Sequence, residues 1–182
     1  MRSEIEAISV EIINNRRHLH QHPELGLKEY ATSKFITENL NQLDLEVSTG
    51  IGQTGVVALL KGGNGPCIGL RADMDALPLH ESNDVEYKSM NDGVMHACGH
   101  DGHVAMLLGA AKVLSEKRDQ LKGTVKFVFQ PAEEGLGGAR YMIEDGVLEN
   151  PKVDEFYGIH LWNYQPFGTV GVQSGPVLAA AD

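Results

Sequence analysis

The sequence predicts an α/β protein with a mostly parallel sheet and helices on both faces. Short apolar, β-branched runs typical of buried strands alternate along the chain with longer stretches of helical periodicity. Such alternation is typical of strands joined by crossover helices that cover both faces of the sheet. The 182 residues are enough for one domain with a core of its own.

Helical periodicity is found in four places. Apolar residues at helical spacing predict a helix over residues 3–21 and a second over residues 29–43. A third helix is expected over about 103–117, with Asp101 as its N-terminal cap. The last is a short helix within GLGGARYMIEDG (135–146), after the glycines.

Strands are predicted where apolar or β-branched runs are bounded by turn residues. They are GVVALLKG (55–62), CIGLRAD (67–73), GTVKFVFQP (123–131), FYGIHLW (156–162) and GTVGV (168–172). The first two flank the turn GGNGP. No internal repeat interrupts this order, so a single sheet is expected.

The formal charge of the chain is −10, which argues against a nucleic-acid or anionic-membrane partner. The N-terminal residues include acids from Glu4 onwards and differ from a signal peptide. The longest apolar stretch, 104–114, is too short to span a bilayer. We therefore expect a cytoplasmic protein in which Cys67 and Cys98 form no disulfide framework.

Acidic and histidine residues follow the ends of the predicted strands. Asp73 and Asp75 come after one strand, Glu133 and Glu134 after the next, and His160 lies near the end of a third. In open α/β sheets ligands bind beyond the carboxyl ends of the strands. These residues are therefore expected to converge on one edge of the sheet.

The stretch VMHACGHDGH (94–103) lies before the third helix and is rich in metal-binding residue types. A zincin-type helix is excluded because Ala97 stands where that motif needs a glutamate. A Cys98 nucleophile is possible, but it would leave the carboxylates and His160 without a role. In an extended loop Cys98 and His100 project to the same side and can share a metal. Such ligands suit Zn²⁺, Mn²⁺, Co²⁺ or Ni²⁺, and the sequence does not choose among them.

The adjacent carboxylates Glu133 and Glu134 extend the metal hypothesis. Neighbouring side chains of an extended chain point opposite ways, so the two are not expected to be equivalent ligands. One can bind metal while the other takes a proton from the water that the metal activates. A metallohydrolase needs both roles, a metal ligand and a general base.

The remaining histidines are expected to have structural roles. We predict that His96 and His103 support the site rather than bind metal. His18, His20 and His22 lie around the end of the first helix, and we expect them to be surface or capping residues.

Five motifs occur in the order RRHLHQHPELG, RADMDALP, MHACGHDGH, FQPAEEGLGGA and GIHLW. Together they resemble the amidohydrolase branch of the dinuclear aminoacylase and carboxypeptidase family. That branch includes hippurate hydrolase, auxin–amino-acid conjugate hydrolase, N-acetyldiaminopimelate deacetylase and N-acyl-L-amino acid amidohydrolase. The resemblance runs from Arg16 to the last residue. It implies the zinc-exopeptidase catalytic fold and an enzyme that cleaves the amide bond of N-acyl amino acids or related small peptides.

The resemblance also implies a role for each site residue. Glu133 would be the general base, which takes a proton from water and returns it to the leaving amine. Asp73 would orient the site, and Arg71 stands where related peptidases have a metal-binding histidine. Two divalent metal ions are implied, with the ligands Cys98, His100, Glu134 and His160.

Members of this family carry one more metal-binding histidine downstream and an inserted satellite domain that dimerises. By resemblance, residues 1–182 are the N-terminal part of the catalytic domain, without the satellite domain and the C-terminal part. Full-length relatives are then expected to be homo-oligomers. Two hypotheses stay open, a metal-dependent amidohydrolase and a catalytically incompetent fragment that lacks the last ligand. From this chain alone we expect weak or absent activity, a loose site, exposed apolar surface and a tendency to associate.

Overall fold

A computed structural model describes residues 2–176, which contain five α-helices and five strands. The helices are α1 (Arg2–Ala7), α2 (Ser9–Gln21), α3 (Tyr30–Leu40), α4 (His100–Ser115) and α5 (Gly138–Glu144). The strands are β1 (Glu46–Ile51), β2 (Gly55–Lys61), β3 (Cys67–Asp73), β4 (Thr124–Gln130) and β5 (Glu155–Gly158). Short 3-10 helices at Asn41–Leu43 and Arg118–Gln120 follow α3 and α4. None of the helices in this part of the chain is long and apolar enough to cross a membrane.

The strands form one mixed sheet in the order β1-β2-β4-β3-β5. β3 is parallel to β4 and β5, whereas β2 is antiparallel to β1 and β4. The predicted α/β class is confirmed, but half of the strand pairings are antiparallel, so the sheet is mixed rather than mostly parallel. The turn between β1 and β2 is too short for a crossover and permits only an antiparallel pair.

The strand predictions succeed in the middle of the sheet and are less accurate at its edges, where the strand predicted at 156–162 is found as the shorter β5. The ranges predicted for β2, β3 and β4 agree with the structure to within two residues. β1 was not predicted, because Glu46, Ser48 and Thr49 make this exposed edge strand polar. The strand predicted at 168–172 is wrong, since Val170 is 80% exposed and no described residue pairs with it.

Two helix predictions need correction. The helix predicted over 3–21 is divided at Ile8 into α1 and α2. α4 begins at His100, directly after Gly99, whose φ of 87° favours glycine. Asp101 is therefore not the N-terminal cap, because it lies inside the first turn of the helix. The earlier start brings His100, Asp101 and His103 together on that turn.

The sheet buries apolar side chains on both faces, because successive strand residues point to opposite sides. One face packs against α3 and α4, and the other packs against α5, so helices cover both faces as predicted. The first core contains Val56, Leu60, Phe127 and Phe129 of the sheet with Ile36 and Leu108 of the helices. The second contains Val57, Val128, Met142 and Val147.

Candidate metal centre

The parallel strands β3, β4 and β5 end at the same edge of the sheet, and the chain places its candidate site residues there. Asp73 is the last residue of β3, and Glu133 and Glu134 follow the end of β4. His100 is the first residue of α4. His160 lies two residues beyond the end of β5, in a segment without regular structure. The convergence predicted from the sequence is therefore present.

The Nε2 atom of His100 is at the centre of these groups. It lies 3.6 Å from Asp73 Oδ2, 3.8 Å from Glu134 Oε1 and 4.0 Å from Glu133 Oε2. Among the described residues there are three sets in which the possible ligand atoms lie within 4.8 Å of one another, and His100 belongs to each set. The sets are Cys98, His100 and His160; Asp73, His100 and His103; and His100, Glu133 and Glu134.

Buried atoms without a hydrogen-bond partner show that this centre fits a cation. His100 Nε2 and Glu134 Oε1 are buried and make no hydrogen bond within the described chain, and Asp73 Oδ2 makes none either but forms an ion pair with Arg71. Leaving such atoms unpaired is unfavourable in a protein interior. Their separations are too long for hydrogen bonds. The 3.8 Å between His100 Nε2 and Glu134 Oε1 suits two ligands that share one ion at about 2 Å each.

Asp75 fixes two of the candidate ligands. The Nδ1 atom of His100 donates to the carbonyl oxygen of Asp75 at 2.9 Å and lies 3.2 Å from its Oδ1. The backbone N–H of Glu134 donates to Asp75 Oδ2 at 3.0 Å. The proton of His100 is thus held on Nδ1, which leaves Nε2 free to bind metal. This role of Asp75 is not predicted from the sequence, although its position two residues after Asp73 is a usable signal.

Asp73 is held from two sides. Its Oδ1 accepts a hydrogen bond from His103 Nδ1 at 2.5 Å. Arg71 Nη1 lies 2.7 Å from Oδ2, close enough for an ion pair but not aligned for a hydrogen bond. Burial alone would raise the pKa of Asp73, but the His103 hydrogen bond and the nearby His100 and Arg71 lower it to about 2. Asp73 is therefore a carboxylate at neutral pH.

The carboxylates around the site favour positive charge there. Burial raises the pKa of the Cys98 thiol, and the charges of Glu134, Asp73 and Glu133 raise it further, to about 12. Cys98 is then a neutral thiol 3.4 Å from His160 Nε2, which argues against an activated cysteine nucleophile. A metal cation would displace the thiol proton, as is usual for cysteine ligands.

The surroundings of His103 and His96 differ from those of the predicted metal ligands. Both ring nitrogens of His103 are engaged, since Nε2 accepts a hydrogen bond from the backbone N–H of Leu161 at 2.9 Å. His96 is 4% exposed and belongs to none of the three sets found among the described residues. Burial lowers its pKa to about 4. A supporting role remains the prediction for both.

Comparison with known proteins agrees with this arrangement. The sequence profile of peptidase family M20/M25/M40 matches residues 69–176. The chain belongs to this family. The resemblance that the five motifs indicated, to dinuclear metallopeptidases and amidohydrolases, is confirmed.

Relatives within the M20/M25/M40 family cover nearly all of this chain. It is 48% identical over 186 residues to thermostable carboxypeptidase 2 of Saccharolobus solfataricus. The aligned region covers 100% of this chain and 47% of that protein. It is 46% identical over 181 residues to N-acyl-L-amino acid amidohydrolase of Geobacillus stearothermophilus, with coverages of 98% and 48%. The chain spans about half the length of these curated relatives.

A solved structure of the M20 family has the same fold. The Bacillus subtilis YXEP protein, a dinuclear metal-binding peptidase of this family, matches with a TM-score of 0.89 and 46% identity. The match covers 94% of this chain and 48% of that one. The predicted catalytic-domain fold is thereby confirmed.

A second polar cluster of this M20 chain lies beside the candidate centre. His20 is 3% exposed, so the expectation that it is a surface or capping residue is wrong. Its Nδ1 lies 2.7 Å from Asp101 Oδ2, its Nε2 lies 3.1 Å from Glu81 Oε1, and Arg16 Nε lies 2.8 Å from Asp101 Oδ2. The hydrogen bond with Asp101 raises the pKa of His20, and the bond with Glu81 adds to this against the effect of burial.

A cleft of about 710 Å³ opens next to the candidate centre. Cys98 and His160 line it on the side of the centre, and Arg16 and His20 line it on the side of the second cluster. Its volume is in the range of small-molecule sites. Aromatic and apolar side chains form much of the remaining wall, and they are Val85, Tyr87, Met95, Leu161, Trp162 and Tyr164.

Proposed function

We propose that this chain carries the catalytic residues of a metal-dependent amidohydrolase that cleaves N-acyl amino acids or related small amides and peptides. The observation that supports this most strongly is that His100 Nε2 and Glu134 Oε1, both buried and without a hydrogen-bond partner in the described chain, lie 3.8 Å apart. The half-exposed Glu133 lies beside them and can reach a substrate. The names of the relatives, a carboxypeptidase and an N-acyl-L-amino acid amidohydrolase, agree with this substrate class.

Two divalent ions are proposed, as in the dinuclear relative, and Zn²⁺, Mn²⁺, Co²⁺ and Ni²⁺ all suit the donor set. When bound, they would polarise the amide carbonyl and lower the pKa of water. The proposed ligands are Cys98, His100, Glu134 and His160.

The proposed chemistry of the chain is proton transfer by Glu133. Its side chain is 40% exposed and borders the centre, so it can take a proton from the attacking water and return it to the leaving amine. Asp73 and Asp75 would orient the neighbouring imidazoles without exchanging protons with the substrate.

We also propose that residues 1–182 correspond to the N-terminal part of a cytoplasmic catalytic domain, and that longer relatives oligomerise through a further domain.

The first experiment is metal analysis of the purified chain after mild dialysis. We expect close to two ions per chain in the wild type and a loss in Cys98→Ala and Glu134→Ala. Glu116→Ala, an exposed position on the far end of α4, is the matched control and should bind as the wild type does. Absence of bound metal from the wild type would contradict the proposed function.

Hydrolysis of N-acetyl and N-benzoyl amino acids is the second measurement. Glu133→Gln should keep its metal and lose roughly 10²–10⁴-fold in any turnover that the wild type shows, since the amide cannot accept the proton. Bound metal without turnover in the wild type would favour the alternative of a catalytically incompetent fragment.

A further inference from the structure

His160 lies beyond the end of β5, in a segment that does not pair with the sheet. β5 ends at Gly158, and the side chains of Ile159, Leu161 and Trp162 are 66%, 47% and 48% exposed. Nevertheless, His160 Nε2 lies 3.4 Å from Cys98 Sγ, at the candidate centre. Contacts outside the strand must therefore fix the position of this imidazole.

A chain of hydrogen bonds connects this segment to the interior. The backbone N–H of Leu161 can only donate, and it donates to His103 Nε2 at 2.9 Å. His103 therefore carries its proton on Nδ1, which donates to Asp73 Oδ1 at 2.5 Å. Asp73 and His103 are fully buried on β3 and α4, so they give the exposed segment a rigid support.

The backbone of Leu161 also orients the ring of His160, through its carbonyl group. His160 Nδ1 donates to the carbonyl oxygen of Leu161 at 2.7 Å. This bond holds the proton on Nδ1 and leaves Nε2 unprotonated, as a metal ligand must be. Leu161 thus links His103, through its N–H, to His160, through its carbonyl group.

Two glycines of the α4 N-terminus make room for the Leu161 side chain. A Cβ atom at Gly102 would lie 2.8 Å from Leu161 Cδ1, and one at Gly99 would lie 3.3 Å from it. The absence of side chains at these positions lets Leu161 lie directly over the first turn of α4. Its backbone N–H is thereby brought to His103.

We infer that His103 is a positioning residue, which holds Leu161 and through it sets His160 as a metal ligand. The inference rests on the proposed function, because it assumes that His160 binds metal. It assigns to His103 no contact with the metal itself, since neither ring nitrogen is free. The Asp73–His103–Leu161 contacts then serve the same purpose for His160 that Asp75 serves for His100.

The test uses Co²⁺ as the probe, with the absorption band of its bond to the Cys98 thiolate as the readout. We expect His103→Leu to weaken Co²⁺ binding by about 10–100-fold, the range found when a group that orients a ligand is lost. His103→Gln should restore part of this affinity, because its amide can accept from Leu161 and donate to Asp73. His80→Leu, at an exposed histidine, is the control.

A double-mutant cycle separates positioning from a general effect on the fold. In the background of His160→Ala, His103→Leu should change the Co²⁺ affinity by less than about twofold, because the group through which it acts is gone. Leu161→Ala, at a half-exposed position, should weaken binding several-fold and provides the test if His103→Leu does not fold.

Three results would overturn the inference while the proposed function stands. These are unchanged affinity in His103→Leu and Leu161→Ala, no recovery in His103→Gln, or an equal loss with and without His160. A wild-type chain that binds no Co²⁺ would overturn both the inference and the proposed function.

Discussion

Asp75 is the residue on which two of the proposed ligands depend. One of its carboxylate oxygens faces His100 Nδ1, and the other accepts the backbone N–H of Glu134. Because both oxygens are used, neither can be replaced by a group that only donates hydrogen bonds. The Asp75 carbonyl oxygen supports His100 independently, so loss of the carboxylate should weaken the site without abolishing it.

For this reason we expect Asp75→Asn to lower metal affinity by about 10–100-fold. The new amide nitrogen would face either the proton of His100 or the N–H of Glu134. Competition with a chelator of known affinity measures the change. Asp92→Asn, at an exposed carboxylate, is the matched control. A change of less than about twofold in Asp75→Asn would show that the carboxylate does not orient these ligands.

The sequence was sufficient to select most residues of the candidate centre, for a physical reason. Carboxylates and histidines that follow buried parallel strands converge at one sheet edge, and Asp73, Glu134 and His160 do so. The role of His103 was not predictable in detail, because it depends on the backbone of Leu161. The burial of His20 was missed because its partner Asp101 is 81 residues away in the chain.

At the scale of elements, a buried imidazole contributes to the contact between α2 and α4. His20 on α2 contacts Asp101 on α4, and its pKa is raised by that hydrogen bond and by Glu81. A group whose pKa is raised on folding stabilises the fold fully below its unfolded pKa, about 6.5 for histidine. That contribution is lost as the pH rises through the higher pKa of the folded state.

We therefore expect His20→Gln to lower the free energy of unfolding by about 3 kcal/mol in mildly acidic solution, because it removes the imidazolium charge between Asp101 and Glu81. The difference from the wild type should shrink as the pH is raised from about 5.5 to about 9. Urea unfolding across this range measures it. His80→Gln, at an exposed histidine, should show little change. A difference that grows with pH would contradict the charge assignment.

Lys126 connects the central strand β4 to the turn that leads into β5. Its buried ammonium donates to the carbonyl oxygens of Val147, Glu149 and Pro151 at 2.8, 2.7 and 2.9 Å. Lys126→Met would leave three carbonyl groups without their donor. We expect it to lower the free energy of unfolding by about 3 kcal/mol, whereas the exposed Lys122→Met should change it little. Similar unfolding midpoints for the two variants would contradict this role.

The elements that the sequence predicted well are the ones that packing determines. The ranges of β2, β3 and β4 follow directly from buried apolar runs between turn residues. β1 was missed because an edge strand can be polar and still pair through its backbone. The apolar segment at 168–172 has the composition of a strand, but a strand needs a partner, and none pairs with it within residues 2–176.

At the scale of the whole molecule, the feature that bears on self-association is the set of exposed apolar side chains in residues 159–172. Phe167, Val170 and Val172 are almost completely exposed, and Trp162 and Tyr164 lie near them in the chain. Many exposed large apolar side chains in one segment favour association. We expect the isolated chain to self-associate at about 100 µM, as measured by sedimentation velocity.

The double substitution Phe167→Ser with Val170→Ser should suppress this association, because it removes apolar area without touching the described core. Val10→Ser, at an exposed position of α2, is the control for a general gain in solubility. Trp162 is the only tryptophan, so its fluorescence should shift to shorter wavelength as the segment becomes covered. Association that persists in the double variant but not in Val10→Ser would place the contact on the N-terminal helices instead. If the wild type stays monomeric and its Trp162 emission is independent of concentration, the apolar segment does not drive association.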